Sequence, residues 1–248
     1  MDSACLYDSW IQNQRKLRDD LSTARTADFA DQTRLRSLVS RAVDLYDSHY
    51  RARSQLSRSD PIAALLPASS TPLEGAAHWI SGWRPNVLIH LLYTESGLRF
   101  ESHLQNFLIG SRSGDIGDIS PAQLAATDEL QRRTVRREIE IDEELGEVQA
   151  GPWGWDPFPP SDSDLDGRLE RVVRVVVRAD ELRMRTLRAV VGILEPLQAV
   201  DLLVAAADFE VGISGLGAEL HQDPIGSTIS DQAGSVPSPE KWLLQIRK

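Results

Sequence analysis

From Asp164 to Leu194 the apolar side chains recur with the three-to-four-residue spacing of a helix face: Leu165, Leu169, Val172, Val173, Val176, Leu182, Leu187, Val190, Val191 and Leu194. Such a face is too wide for a helix lying on a surface and calls for neighbours on several sides. Pro196 ends the run, because the residue before a proline avoids helical backbone. No stretch of the chain alternates apolar and polar residues long enough to make a half-buried strand. The fold class expected is therefore all-α: a single bundle of about seven or eight helices, with long central antiparallel helices, as in other helix bundles.

Two amphipathic segments precede it. Ser3 to Arg25 carries Leu6, Tyr7, Trp10, Ile11, Leu17 and Leu21 on one stripe, and Asp31 to Leu56 carries Leu35, Leu38, Val39, Ala42, Leu45, Tyr46 and Tyr50. The proline-rich "RSDPIAALLPASSTP" (58–72) must turn, with Ile62, Leu65 and Leu66 pinning it to the core. Thr71-Pro72-Leu73-Glu74 and Ser120-Pro121-Ala122-Gln123 both read as helix starts with a reciprocal cap. Between them lie a short helix through Val87, Leu88, Leu91 and Leu92, another from Leu98 to Ile109, and a glycine-rich link, 110–118. From Ser120 to Gln149 runs a charged helix whose seam is Val135, Ile139, Ile141, Leu145 and Val148.

"AGPWGWDPFPPSDSD" (150–164) has the prolines and glycines of a loop, and the last core helix, Pro196 to Val211, is apolar almost all round. "GISGLG" (212–217) reads as a helix cap. The division expected is one helical domain over 1–220, with 150–164 as an internal loop, and a mobile tail over 221–248 bearing at most a docking turn at "KWLLQI".

A formal charge of -10 disfavours attraction to phosphate backbones and anionic membranes. One cysteine, Cys5, allows no intrachain disulfide, and no apolar run spans a bilayer or resembles a signal peptide, so a protein of a reducing compartment is expected. The arginine-rich "QRRTVRR" (131–137) reads as a solvated helix face, and "IQNQRKLR" (11–18) as a core helix in preference to a calmodulin target. Histidines 49, 78, 90, 103 and 221 show no metal-ligand spacing, "DSDLDG" lacks a calcium loop's ligand set, and no nucleophile elbow or phosphate-binding glycine loop is found. An enzyme and a metal protein are both disfavoured.

What remains is "HWISGWRP" (78–85). Trp79 and Trp83 are expected to fill a junction between helices, with Gly82 allowing close backbone approach, Pro85 fixing the helix restart and Arg84 reaching a carboxylate or helix end. This motif resembles the W-[aliphatic]-[small]-G-[aromatic or Cys]-[K/R]-P signature of the plant DOG1 domain, also found in TGA transcription factors. "YDSWIQNQ", "GDIGDISPAQLAATDELQRRTVRREIEIDEEL" and "RADELRMRTLRAVVGILEPLQAVDLLVAAADFEVGI" resemble further blocks of that family in the same order.

The resemblance implies a non-enzymatic adaptor of seed dormancy and abscisic acid signalling in nucleus and cytoplasm, with a protein phosphatase 2C as partner. Tyr7, Trp10 and Ile11 match the amino-terminal partner motif of dormancy-type members. It leaves open a homodimer, a transcription-associated cofactor like the TGA relatives, and a pollen-aperture role. Direct DNA binding is not expected, since no basic zipper precedes the domain. Some members hold haem through a His-x-x-x-His pair; Glu210 and Ser214 stand at those positions here, so no cofactor is expected.

Overall fold

The computed structural model describes residues 3–27, 31–67, 70–150 and 162–222. Among these the long helices are α1 (Ser3–Ala27), α2 (Gln32–Ser59), α5 (Pro85–Ser102), α7 (Pro121–Ala150), α8 (Asp162–Ile193) and α9 (Pro196–Gln222). Short helices α3 (Pro61–Leu65), α4 (Pro72–Ala77) and α6 (Leu104–Leu108) and a 3-10 turn at Ile116–Asp118 complete them, and no strand is present among the described residues. The chain is all-α, as its periodicity predicts. No described helix is long and apolar enough to cross a membrane.

The helix starts are chemically specified. Asp31 accepts hydrogen bonds from Thr33 N and Arg34 N to cap α2, and Thr71 and Glu74 form the reciprocal box at α4. Ser120 and Gln123 do the same at α7, where Gln123 Nε2 also donates to Ile193 O at 3.0 Å and Gln198 Oε1 at 2.8 Å. One cap thereby ties the start of α7 to the turn between α8 and α9.

Helix pairing follows the buried stripes. α1 buries Leu6, Trp10, Ile11, Gln14, Leu17, Leu21 and Ala24 against α2 and α9, which accounts for the "IQNQRKLR" stretch as core helix. Arg25 meets Asp201 and Arg18 meets Asp208, so α1 and α9 run antiparallel. In the same way Arg53 pairs with Asp180 and Asp47 with Arg188 across α2 and α8, and Thr134 faces Thr186 while Glu144 faces Arg178 across α7 and α8. A large apolar cluster fills the space between α1, α2, α5, α8 and α9; a smaller one, Ile80, Ile141, Val175, Val176, Ala179 and Leu182, lies between α7 and α8 beneath the 78–85 loop.

Several boundaries differ from the sequence reading. α9 does not stop at Val211: it continues through the "GISGLG" glycines to Gln222, because Gly217 lies so close to Thr71 that a Cβ there would overlap its hydroxyl. Gly217 is a contact position inside a helix, and residues 221 and 222 belong to that helix. α8 begins at Asp162, which removes 162–164 from the expected loop; residues 151–161 and 223–248, with "KWLLQI", lie outside the described residues. α5 is continuous across Leu98, and its chain-mate ends at Leu108. On α7 the seam is Thr127, Leu130, Thr134, Glu138, Ile141 and Val148, while Ile139 is 50% exposed, since two of the inward positions are threonines and one a glutamate. Leu65 packs inward as expected, but Ile62 and Leu66 face solvent.

Candidate functional site

Residues 78–84 are not helical. After α4 the chain turns through Ile80 and Ser81, both with left-handed backbone (φ 51° and 60°), and Trp79 N donates to Gly82 O at 2.6 Å. Left-handed backbone is costly for a β-branched residue such as isoleucine and persists only where surroundings enforce it.

The enforcing group is Arg183 on α8, whose side chain is wholly buried. Its Nε donates to Trp83 O at 2.8 Å, and its Nη2 to Ile80 O at 3.0 Å and to Trp79 O. The loop carbonyls therefore curl around one guanidinium. A Cβ at Gly82 would come within 3.2 Å of that guanidinium, which is why the third loop position carries no side chain. Close approach at Gly82 is as expected, but the approaching group is an arginine head and not backbone.

A second arginine completes the junction. Arg53 of α2 donates from Nε to Asp180 Oδ2 at 2.9 Å, from Nη2 to Asp180 Oδ1 and from Nη1 to Ser81 O. Asp180 Oδ1 also accepts from Arg183 Nη1 at 2.6 Å. One buried carboxylate thus bridges two buried arginines. Burial pulls Arg53 down to about 9 and Arg183 to about 10, and both keep their charge at neutral pH.

On the outer side Arg84 donates from Nε to Glu138 Oε2 at 2.9 Å and from Nη2 to Asp142, and Trp79 Nε1 donates to Asp142 Oδ1 at 2.6 Å. Asn86 N gives Glu138 Oε1 a further bond of 2.7 Å as α5 restarts at Pro85. The Trp79 ring has the Arg84 and Arg183 guanidinium groups at 5.2 and 5.4 Å from its centroid. Trp83 is buried in the main core, whereas Trp79 is half-buried over the smaller cluster.

Beside this junction α1, α2, α3, α9 and the 78–85 loop surround a small cavity of about 40 Å³, mostly apolar, with His49, Arg53, His78 and Glu210 among its lining residues. Trp10 forms its aromatic wall: its ring stacks on His49 with centroids 4.0 Å apart and meets Tyr46 edge-on at 4.9 Å. The Trp10 indole and Glu210 of α9 both line the cavity. Tyr46 OH donates to Gln14 Oε1 at 3.2 Å. Burial, only partly opposed by Arg183 and Arg53, raises Glu210 to about 7. The same burial, helped by the two arginines, lowers His78 to about 4 and holds His49 well below its usual value. Both imidazoles are neutral at pH 7.

Of the three first-helix residues singled out by sequence, Trp10 (6% exposed) and Ile11 (7%) face inward. Tyr7 is half-buried at the cavity, with its hydroxyl turned inward and no hydrogen-bond partner. Glu210 lines the cavity, and Ser214 is half-buried one turn further along α9. Neither supplies an imidazole, and the cavity has room for only about three water molecules, so these residues do not fit a haem. His90, bonded to Asn86, and His103, beside Asp115, lie outside the cavity lining. Among the described residues no cluster of three or more His, Cys, Asp or Glu side chains could hold a metal.

Residues 14–94, which include the inner half of α1, all of α2 and the 78–85 loop, match the family model described as "DOG1: Seed dormancy control". The chain is similar to the DOG1 family. It is 27% identical to "Protein DOG1-like 2" of Arabidopsis thaliana over 85% of this chain and 88% of that one. With "Protein DOG1-like 1" of the same plant the identity is 27% over 93% and 94% of the two chains. "Transcription factor TGA1" of Arabidopsis thaliana is 26% identical over 88% of this chain but only 56% of its own length. DOG1-domain similarity thus extends well past the matched segment, into α7, α8 and α9. Arg53 and the loop fall inside residues 14–94, and Asp180 and Arg183 fall outside them. The sequence reading identified the loop and missed Arg183; its one signal was a basic residue placed within the apolar face of α8.

Proposed function

We propose that this chain is a non-enzymatic regulator of seed dormancy and abscisic acid signalling, present in nucleus and cytoplasm, that acts by binding a protein phosphatase 2C. The observation that carries this reading is Tyr7. It sits half-buried on α1 at the cavity, and its hydroxyl has no acceptor. A buried hydroxyl without a partner costs stability, and a partner group entering the cavity mouth would satisfy it. Trp10 and Ile11 then act by holding the Tyr7 face rigid, with their own surfaces already used by His49, Tyr46 and the core. The similarity to DOG1-like proteins along most of their length supports a regulator of that kind.

A purified phosphatase of clade A, titrated against the wild type, Tyr7→Ala and Trp10→Ala, tests this. Tyr7→Ala should weaken binding by about thirtyfold, the scale of a hot-spot residue, with a smaller fall in thermal midpoint than Trp10→Ala, since the Tyr7 ring packs only at the edge of the core. Trp10→Ala should lower the midpoint as well as the affinity. Wild-type affinity in Tyr7→Ala, or no binding by the wild type, overturns the reading. Similarity to TGA1 over 88% of this chain favours a second reading, a co-regulator in transcription that does not touch DNA itself. Recovery of TGA factors by wild type and Tyr7→Ala alike would select it.

A further inference from the structure

A second concavity, of about 430 Å³, lies on the seam between α7 and α8, and its chemistry is opposite to that of the whole chain. The protein carries a formal charge of -10, yet this cleft is walled by Arg133, Arg136 and Arg137 from α7 and by Arg185 from α8. They belong to the "QRRTVRR" stretch and its neighbour across the seam.

Arg136 and Arg185 take part in no hydrogen bond or salt bridge among the described residues. Arg137 meets Glu140 at 2.6 Å, and Arg133 reaches back to Glu129 at 3.7 Å. Glu140 is the carboxylate among the lining residues, and it is shared with Arg178 at 3.8 Å. The guanidinium groups thus outnumber the carboxylate charge in the cleft.

The floor is equally unusual. Thr134 and Thr186 are 2% and 1% exposed, and their hydroxyls meet only each other, at 3.4 Å. Threonines within helices commonly bond back to a carbonyl one turn earlier, as Thr127 does to Gln123 O at 2.9 Å. Here a pair of hydroxyls shares one weak contact, which leaves one O–H without an acceptor. Donors on the walls and a donor on the floor all face one space.

We propose that this cleft binds a compact polyanion, a small molecule with several phosphate groups on one scaffold, through the free guanidinium groups of Arg136 and Arg185 and the Thr134–Thr186 hydroxyl pair. Size and charge density both select this class. A volume of about 430 Å³ is that of a small-molecule site. Arg133 and Arg137 are four residues apart, about 6 Å of helix rise, so the positive charge is concentrated within one turn. A phosphate brings up to about two charges and three acceptor oxygens to one point, and arginine forks match it bidentately. An acidic peptide spreads single charges at about 3.3 Å per residue, leaving most of this density unmatched. The proposal stands independently of the phosphatase reading.

A soluble phosphorylated polyol and the headgroup of a phosphoinositide share this chemistry. Titration calorimetry with myo-inositol hexakisphosphate reads the first. Co-sedimentation with phosphatidylcholine vesicles, with and without phosphatidylinositol bisphosphate, reads the second. Binding in either arm should weaken about tenfold or more in Arg136→Gln/Arg185→Gln and severalfold in Thr134→Val. It should fall with added salt and stay unchanged in Arg112→Gln, an exposed arginine elsewhere. The arginine variants alter exposed residues and should keep the wild-type thermal midpoint. The proposal is overturned if the wild type binds in neither arm, if Arg112→Gln weakens binding equally, or if a polyglutamate peptide binds more tightly than the hexakisphosphate.

Discussion

The interior where α1, α2 and α9 meet and the interior where α2, α8 and the 78–85 loop meet are both closed to water, and they are held by different physics. In the first, Leu21, Leu35, Ala42, Leu202 and Leu203 are fully buried and ask only for volume to be filled. Its stability scales with apolar area, at roughly 25 cal/mol per Å². In the second, Arg53, Asp180 and Arg183 are buried charges whose removal from water is expensive, and the arrangement survives because donors and acceptors are matched. Amount decides the first region and identity decides the second.

The largest expected effect breaks the second region. Arg183→Ala leaves the carbonyls of Trp79, Ile80 and Trp83 without their donor and takes from Asp180 one of its two arginines, and should cost about 4 kcal/mol in urea unfolding. Arg183→Lys should recover little, because an ammonium cannot reach all of them; full recovery would mean that charge alone matters. Leu203→Ala in the first region should cost about 3 kcal/mol, whereas Leu203→Met should cost under about 1.5 kcal/mol. A methionine as damaging as the alanine would erase the contrast.

Glu210 sharpens it, since it lies between the two. Raised from 4.5 to about 7, it keeps in the folded chain a proton that the unfolded chain releases. Wild-type stability from this group is therefore lost as pH rises from about 4.5 through 7. Glu210→Gln should match the wild type near pH 4 and exceed it by about 3 kcal/mol at pH 8, measured by unfolding across that range. His49 and His78 act in the opposite sense but are common to both proteins, so the difference isolates Glu210. A constant offset at all pH values would remove Glu210 from the account. The smallest effect is Ser120→Ala, about 1 kcal/mol for a lost cap, read as a small fall in thermal midpoint.

The first region was legible in the sequence because spacing alone announces it: the stripes of α1, α2 and α8 follow from positions of Leu, Val and Tyr. Both reciprocal caps were legible for the same local reason. Arg183 was not, because its carbonyl partners lie 100 to 104 residues away and no short-range pattern announces a carbonyl cage. The end of α9 was misread because Gly217 serves a distant contact with Thr71, and a glycine chosen for closeness looks the same in sequence as one chosen for a turn. Trp10 illustrates the limit from the other side. Its helix face was read correctly, and whether that face looked in or out depended on His49 and Glu210.

α9 carries three fixed appointments along its length. Asp201 accepts from Ile116 N at 3.1 Å, Glu210 lines the cavity with Trp10, and Gly217 admits Thr71. Each added residue turns a helix by about 100°. A single insertion between Asp201 and Glu210 would therefore swing the two later contacts off their partners while the first stayed in place. This helix works as a ruler: its length is specified to the residue, and change of length is left to the linkers between helices.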